Sequence, residues 1–140
     1  MADLVKLARE NVEAYGADDW TRLKAVLAPD CLYDEVGSQR RLQGAEEMVQ
    51  AYQGWKQAIP DGKGAIGSTF VNGNKVAQEV TWTGTHKGPL NAPQGAIPPS
   101  GKSISVPGVQ IITFEGDKIV EFRQFFNLLT LLQQIGAAPQ

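Results

Sequence analysis

Apolar residues recur at three- and four-residue spacing over the first sixty positions of the chain, which indicates amphipathic helices. Gly16 and Pro29 end the first two patterns, as a C-cap glycine and a helix-breaking proline do. A short alternating stretch separates the second pattern from the third. The sequence therefore predicts helices over residues 4–16, 19–27 and 45–59, a strand over residues 31–36 and a loop over residues 40–44.

After residue 62 the period changes from helix to strand, and the turns contain Asn-Gly-Asn and Glu-Gly-Asp. Residues 87–101 hold four prolines, so a long loop is expected there. The last strand runs into an apolar helix that Gly136 closes, and Asn127 joins the two. The predicted strands cover residues 65–71, 75–86, 102–114 and 118–126.

The order α-α-β-α-β-β-β-β-α predicts an α+β fold, in which a curved antiparallel sheet forms a cone around the N-terminal helices. One domain over residues 1–140 is expected, with the loop over residues 87–101 at the mouth of an interior pocket. The strand at residues 109–113 is apolar on both faces apart from Gln110. A sheet that packs one face on its own helices should expose the other face to water. The apolar character of both faces therefore predicts a homodimer packed through the sheet.

The amino-acid composition argues against several classes of function. One cysteine, Cys31, and one histidine, His86, can form neither an internal disulfide nor a usual zinc site. The net charge of −2 is dispersed, so nucleic acid is not an expected partner. Charged residues interrupt the apolar N-terminal positions, which argues against a signal peptide or membrane span and predicts a cytoplasmic protein. Nucleotide-binding and nucleophile motifs are absent from the sequence, and neither a metal nor a cofactor is expected.

Few polar side chains are candidates for chemistry. His86 ends the long strand beside the proline-rich loop, where it is either a hydrogen-bonded strand-end residue or a base or donor for a ligand. Gln110 and Gln124 interrupt apolar faces. Each either forms hydrogen bonds within the core or lines a pocket, and Gln110 is the candidate for binding a substrate. Asn127 is a strong helix N-cap. Core packing explains most aromatic residues, but two or three of one set are expected to face a ligand; the candidates are Tyr33, Trp55, Phe70, Trp82 and Phe125.

Several segments in this order resemble the SnoaL-like polyketide cyclases of the nuclear transport factor two-like superfamily. These are GTHKGPL, IPPSGK, GDKIVEFRQFF and NLLTLLQQIG, together with YDE and WKQAIPDG. The resemblance implies an α+β cone, commonly a homodimer, without metal or cofactor. It also implies aldol ring closure of an aromatic polyketide by an aspartate at the start of the last helix. That aspartate matches Asn127 here, whereas His86 matches the histidine of the family's Gly-Thr-His motif.

Three interpretations follow from Asn127, whose amide cannot transfer a proton at neutral pH. The first is a cyclase-type enzyme acting on an apolar or aromatic carbonyl compound, with His86 as base or donor, Asn127 as enolate partner and Gln110 positioning the substrate. A second is a protein of the same fold that binds a small hydrophobic ligand without catalysis. The third is a cyclase inactivated by an Asp→Asn change at position 127.

Overall fold

The computed structural model describes residues 3–92 and 95–138. Its helices are α1 (Leu4–Gly16), α2 (Trp20–Ala25), α3 (Ala45–Ala58) and α4 (Leu128–Gln134), and a 3-10 turn covers Val36–Ser38. The strands are β1 (Leu27–Glu35), β2 (Arg40–Gln43), β3 (Lys63–Asn72), β4 (Lys75–Thr85), β5 (Leu90–Ala92), β6 (Gly95–Ile97), β7 (Ser103–Glu115) and β8 (Lys118–Phe126).

Six strands form one sheet in the order β2-β1-β8-β7-β4-β3, and β5 pairs with β6 as a separate hairpin. All neighbours in the large sheet are antiparallel except β1 and β8, which run parallel. The predicted α+β fold, with N-terminal helices against a curved sheet, is confirmed. The sheet places the ends of β1 and β8 side by side, although their paired residues lie about ninety positions apart in the chain.

The structure corrects three details of the predicted elements. Helix α2 ends at Ala25, so Leu27 belongs to β1. Residues 40–43, predicted as a loop, form strand β2 because they pair with residues 32–35 of β1. The proline-rich segment contains the hairpin β5–β6. Its two short strands pair with each other and not with the large sheet.

Local sequence explains where the helices begin. The side chains of Asp3 and Asp19 accept hydrogen bonds from the backbone N–H groups of Lys6 and Arg22, which are otherwise unsatisfied at a helix start. Helix α3 begins at Ala45, and its N-cap residue, Gly44, has no side chain to cap it. The apolar sides of α1 and α3 meet the inner face of the sheet in a core that includes Ala8, Met48, Tyr52, Ile112 and Phe122.

The outer face of the sheet carries half-buried apolar residues, including Val109 and Phe125, which pair across β7 and β8. The guanidinium of Arg123 lies over the Phe125 ring, 4.8 Å from its centroid, and 3.7 Å from the Asp34 carboxylate. These contacts cover part of the face within one chain. A homodimer through this surface stays a prediction. Among the described helices, none has the length and apolar character needed to cross a membrane.

Candidate active site

A cavity lies between the inner face of the sheet and helices α1, α3 and α4. The volume of the cavity is about 70 Å³. Aromatic and aliphatic side chains form most of the wall, and the polar contributions come from tyrosine, glutamine, threonine and lysine. The wall consists of Tyr15, Tyr52, Trp55, Ile59, Gly62, Lys63, Trp82, Thr83, Ile104, Val106, Gln124, Phe126 and Leu131. A mostly apolar wall with a few placed polar groups is typical of small-molecule sites.

The aromatic part of the wall is held rigid by edge-to-face contacts. The Tyr15 ring meets Trp82 at 5.5 Å and Tyr52 at 5.4 Å between centroids, and Trp55 meets Phe126 at 5.7 Å. Burial raises the pKa of both Tyr15 and Tyr52. Their hydroxyls are therefore protonated at neutral pH, so each is able to donate a hydrogen bond. The Tyr52 hydroxyl donates to Asn11 at 3.1 Å.

A buried carboxylate, Glu35, lies directly behind this wall and is 1% exposed. Trp55, which lines the cavity, donates its indole N–H to Glu35 Oε2 at 2.9 Å. The Tyr33 hydroxyl donates to the same oxygen at 2.5 Å, and the Ser38 hydroxyl donates to Oε1. Arg40 Nη2 lies 3.1 Å from both oxygens. Four side chains therefore stabilise one negative charge at the edge of an apolar cavity.

Strand alternation brings Glu35 to this position. In β1 the side chains of Cys31, Tyr33 and Glu35 all face inward and are buried, because residues two apart share a face. Burial, followed by the charge of Glu35, raises the pKa of Tyr33 well above its ordinary value. A hydrogen bond from Gln124 acts in the opposite direction. The Tyr33 hydroxyl therefore keeps its proton while it is bonded to the carboxylate.

A row of polar side chains crosses the sheet at the level of Glu35. Gln78 of β4, Gln110 of β7, Gln124 of β8 and Glu35 of β1 are successive partners in register, and Arg40 of β2 extends the row. Gln78 Nε2 donates to Gln110 Oε1 at 2.8 Å, and Gln110 Nε2 donates to Gln124 Oε1 at 2.9 Å. Of the three glutamines only Gln124 lines the cavity.

His86 is fully buried but does not line the cavity. Its Nδ1 accepts from the Ser100 backbone N–H at 3.1 Å and lies 2.9 Å from the Ser100 hydroxyl. Because Nδ1 is an acceptor, the proton of the neutral ring is on Nε2. Burial lowers the pKa of His86, and the Gly88 carbonyl opposes this. His86 therefore fastens the proline-rich segment to the end of β4.

The His86 contacts predict how stability depends on pH. A depressed folded-state pKa means that the unfolded chain binds the proton more tightly, so acid favours unfolding. The contribution of His86 is fully present above the unfolded value of 6.5 and declines as the pH falls through it. We expect chemical denaturation between pH 7.5 and 5 to show a smaller fall in unfolding free energy for His86→Gln than for the wild type. Parallel curves for the two proteins would contradict this role.

The proline-rich segment docks on the end of α3. The backbone N–H groups of Lys87 and Gly88 both donate to the Ala58 carbonyl at 3.0 Å. A Cβ on Gly88 would lie 2.0 Å from the Gln57 carbonyl oxygen, so only glycine fits this approach. Leu90 packs in an apolar cluster with Ile59, Ile104 and Leu131, which also line the cavity. In the described part of residues 87–101, no residue contacts the cavity directly.

Asn127 is exposed and caps α4, where its side-chain oxygen accepts from the Thr130 N–H at 3.1 Å. It borders an open depression on the outer side of the molecule together with Val109, Phe125 and Leu129. The structure thus does not bring Asn127 and His86 together across the cavity. The Asn127 amide oxygen instead binds the first turn of its own helix.

The other predicted binding residues divide into three groups. Trp55 and Trp82 line the cavity, as the sequence suggested for part of the aromatic set. Tyr33 and Gln110 are buried behind the wall and take part in its hydrogen bonds. Phe125 lies on the outer face, and Phe70 is 65% exposed near the end of β3. The aromatic residues therefore do not converge as a set.

Sequence reasoning missed three important residues: Tyr15, Tyr52 and Glu35. The two tyrosines follow the helical spacing of core positions, and nothing in the sequence separates a core tyrosine from a cavity tyrosine. Glu35 left a usable signal, because a charged residue two positions from Tyr33 shares its face of a mostly buried strand. Among the described residues, no group of three His, Cys, Asp or Glu side chains is placed to hold a metal ion.

Comparisons with solved structures agree with this architecture. AclR from Streptomyces galilaeus matches 100% of this chain and 89% of its own, with 26% identity and a TM-score of 0.83. TsrD from Streptomyces laurentii matches 96% of this chain and 95% of its own, with 25% identity and a TM-score of 0.82. A protein with a ketosteroid isomerase-like fold from Catenulispora acidiphila matches 95% of this chain and 93% of its own, with 18% identity and a TM-score of 0.80.

A search of the curated proteins finds no match to the sequence. The family model described as SnoaL-like polyketide cyclase matches residues 5–135, nearly the whole length of the chain. That span includes all four helices except the first residue of α1, and it includes the row of polar residues beside the cavity. The chain therefore belongs to the SnoaL-like polyketide cyclase family.

Proposed function

We propose that this chain is a cyclase-type enzyme that removes a proton next to the carbonyl of a planar, apolar small molecule without a cofactor. The observation that carries the proposal is the pairing of an aromatic cavity with a buried carboxylate. Trp55 belongs to the cavity wall and at the same time donates to Glu35 at 2.9 Å. An apolar site beside a fixed negative charge favours reactions in which a proton moves over a short distance.

The wall determines what the cavity accepts. Tyr15, Trp55, Trp82 and Phe126 offer flat faces and edges to an aromatic or conjugated ring. Gln124 supplies the polar contact at the sheet side of the cavity. In this proposal the substrate stacks on these rings with its carbonyl toward Gln124 and its adjacent carbon toward Trp55 and Glu35. The substrate class is therefore an apolar, planar carbonyl compound.

Glu35 is the proton acceptor in this proposal, through one water molecule that passes the edge of Trp55. The C–H bond next to the carbonyl breaks, its electron pair forms the enolate, and the proton goes to the carboxylate. The enolate oxygen then accepts a hydrogen bond from Gln124. In a ring closure the enolate carbon attacks a second carbonyl of the same molecule, and Glu35 returns the proton to the new alkoxide. Neither His86 nor Asn127 is needed for these steps.

A second candidate function is binding without catalysis. It is favoured by the composition of the cavity wall, in which the described residues include no carboxylate, imidazole or thiol. The titratable groups in the wall are two tyrosines, whose raised pKa keeps them protonated, and Lys63. A wall of this kind holds a ligand without transferring its protons.

Hydrogen–deuterium exchange separates these two functions. 2-Tetralone, a bicyclic ketone with exchangeable hydrogens next to its carbonyl, is incubated with the protein in deuterated buffer and followed by NMR. Catalysis predicts exchange in proportion to protein concentration, above the buffer rate, and abolished by unfolding. Binding alone predicts shifted Trp55 and Trp82 indole signals with exchange at the buffer rate.

Two variants test the residues that the sequence suggested. Asn127→Asp and His86→Ala are expected to leave the exchange rate per folded molecule within about threefold of the wild type. Asn127 caps a helix on the outer side, and His86 holds a loop. A rise of tenfold or more in Asn127→Asp would instead assign proton transfer to position 127 and displace Glu35.

A further inference from the structure

The three glutamines of the polar row have a fixed direction, and this direction determines what Gln124 presents to the cavity. A side-chain amide can be turned over so that its oxygen and nitrogen exchange places, and only its hydrogen-bond partners decide between the two orientations. At each end of this row the partner can act only as an acceptor. The orientation of the whole row is therefore determined from both ends.

The first end lies at helix α1. Gln78 Nε2 is 3.0 Å from the Ala8 carbonyl oxygen and 2.8 Å from Gln110 Oε1. A backbone carbonyl accepts and never donates, so the Gln78 atom facing it must be the nitrogen. The reversed amide would set two oxygens 3.0 Å apart in a buried site without a hydrogen between them.

The second end lies at Tyr33. Its one hydroxyl hydrogen is donated to Glu35 at 2.5 Å, so its oxygen can only accept a further hydrogen bond. The hydrogen bond between Gln124 and Tyr33 lowers the pKa of Tyr33, as a bond from a donor does. Gln124 Oε1 is already occupied by Gln110 Nε2 at 2.9 Å. The atom of Gln124 that faces Tyr33 is therefore its nitrogen.

One hydrogen of Gln124 remains unassigned. An amide nitrogen carries two, and Tyr33 takes at most one of them. Among the described residues, Gln124 Nε2 has no other hydrogen-bond partner, although its side chain lines the cavity. Gln78 Nε2, by contrast, uses both of its hydrogens. At least one N–H group of Gln124 is thus left to bind a ligand in the mostly apolar cavity that this side chain lines.

We propose that Gln124 is the specificity residue of the cavity, which selects ligands with a hydrogen-bond acceptor such as a ketone or enolate oxygen, and that Gln78 is its positioning residue. Gln78 acts from two strands away, because the Ala8 carbonyl sets its orientation and Gln110 transmits it. Amides aligned in one direction polarise one another, which strengthens the last donor of the row. The inference rests on the proposed use of the cavity for a carbonyl compound, but it concerns recognition and does not depend on catalysis.

A pair of probes that differ only in an acceptor tests this inference. Acetophenone carries a carbonyl where ethylbenzene, with the same carbon skeleton, carries a methylene group. Their dissociation constants are measured from the NMR shifts of the Trp55 and Trp82 indole protons, both in the cavity wall. The quantity of interest is the preference ratio, Kd for ethylbenzene divided by Kd for acetophenone, compared between variants so that the different hydration of the probes cancels.

Gln124→Met keeps the size of the side chain and removes the donor. The preference ratio is expected to fall about 2- to 12-fold, which corresponds to the ~0.5–1.5 kcal/mol of one net hydrogen bond. Gln78→Met, outside the cavity wall, is expected to lower the same ratio by a smaller factor, with ethylbenzene affinity unchanged. Gln133→Met, an exposed change on α4, is the matched control and should leave both constants unchanged.

Three results would overturn the inference, in whole or in part. An unchanged ratio in Gln124→Met would refute its role as the donor. A drop in Gln124→Met without any change in Gln78→Met would refute the positioning by the row; if Gln78→Met does not fold, Gln110→Met replaces it. Failure of both probes to bind would refute both this inference and the proposed function. A confirmed ratio without proton exchange in 2-tetralone would refute catalysis alone.

Discussion

Glu35→Gln is expected to lower the rate of exchange in 2-tetralone by about 10² to 10⁴, the usual effect of losing a general base. The substitution preserves shape and still offers an oxygen to Tyr33 and Trp55, so the acetophenone dissociation constant should change by less than about threefold. A loss in rate with binding retained separates proton transfer from the shape of the cavity. The measurement is the NMR exchange rate at saturating 2-tetralone, per folded molecule.

The matched control is Asp34→Asn, which removes the neighbouring carboxylate on the opposite side of β1. Asp34 faces Arg123 at 3.7 Å and does not line the cavity. Its exchange rate should equal that of the wild type. Equal rates in Glu35→Gln and the wild type, with both proteins folded, would show that this carboxylate is a structural ion-pair partner and not the base.

Arg40→Met is expected to lower the free energy of unfolding by about 2 to 3 kcal/mol. Removing one partner of a buried ion pair costs ~3–5 kcal/mol, because the other charge stays buried without compensation. The Arg40 side chain is 41% exposed, and Tyr33, Trp55 and Ser38 still donate to Glu35, so the effect is below that range. Urea denaturation near pH 7 measures it. Arg41→Met, on an exposed side chain of the same strand, should change stability by less than about 0.5 kcal/mol.

The double variant Arg40→Met/Glu35→Gln shows whether the loss comes from the charge of Glu35. With a neutral side chain at position 35, the penalty for a buried unpaired charge disappears, and we expect the double variant to be more stable than Arg40→Met alone. If the two single changes in unfolding free energy simply add, Arg40 stabilises the fold through its own packing. Its contribution then does not come from the charge of Glu35.

The contrast between Asn127 and Glu35 shows where sequence reasoning was limited. The resemblance to the SnoaL-like family implies an aspartate at the position of Asn127, and for this reason Asn127 was predicted to be catalytic. In the structure its amide caps α4 on the outer side, while the buried acid is Glu35 on another strand. The pattern of strand β1 places Glu35 on the inner face, but it cannot show that β1 lies beside β8 and below α3.

The glutamines of the sheet also show what the sequence alone could not predict. Alternation along each strand placed Gln110 and Gln124 on apolar faces, and that much follows from a period of two residues. Which of them lines a cavity depends on sheet register and on the helices above it. Register pairs Gln78, Gln110 and Gln124 in one row, and the open space lies above the last of them.

By itself the sequence determined the α+β class, the main order of elements and the segments that resemble the SnoaL-like family, because periodicity, caps and turns are local properties of the chain. It also determined that Asn127 begins the last helix. Only the tertiary structure decided which side chains share a site, since the parallel pairing of β1 with β8 joins residues ninety positions apart. That long-range pairing brings Glu35 and Tyr33 beside Gln124, and it leaves Asn127 and His86 outside the cavity wall.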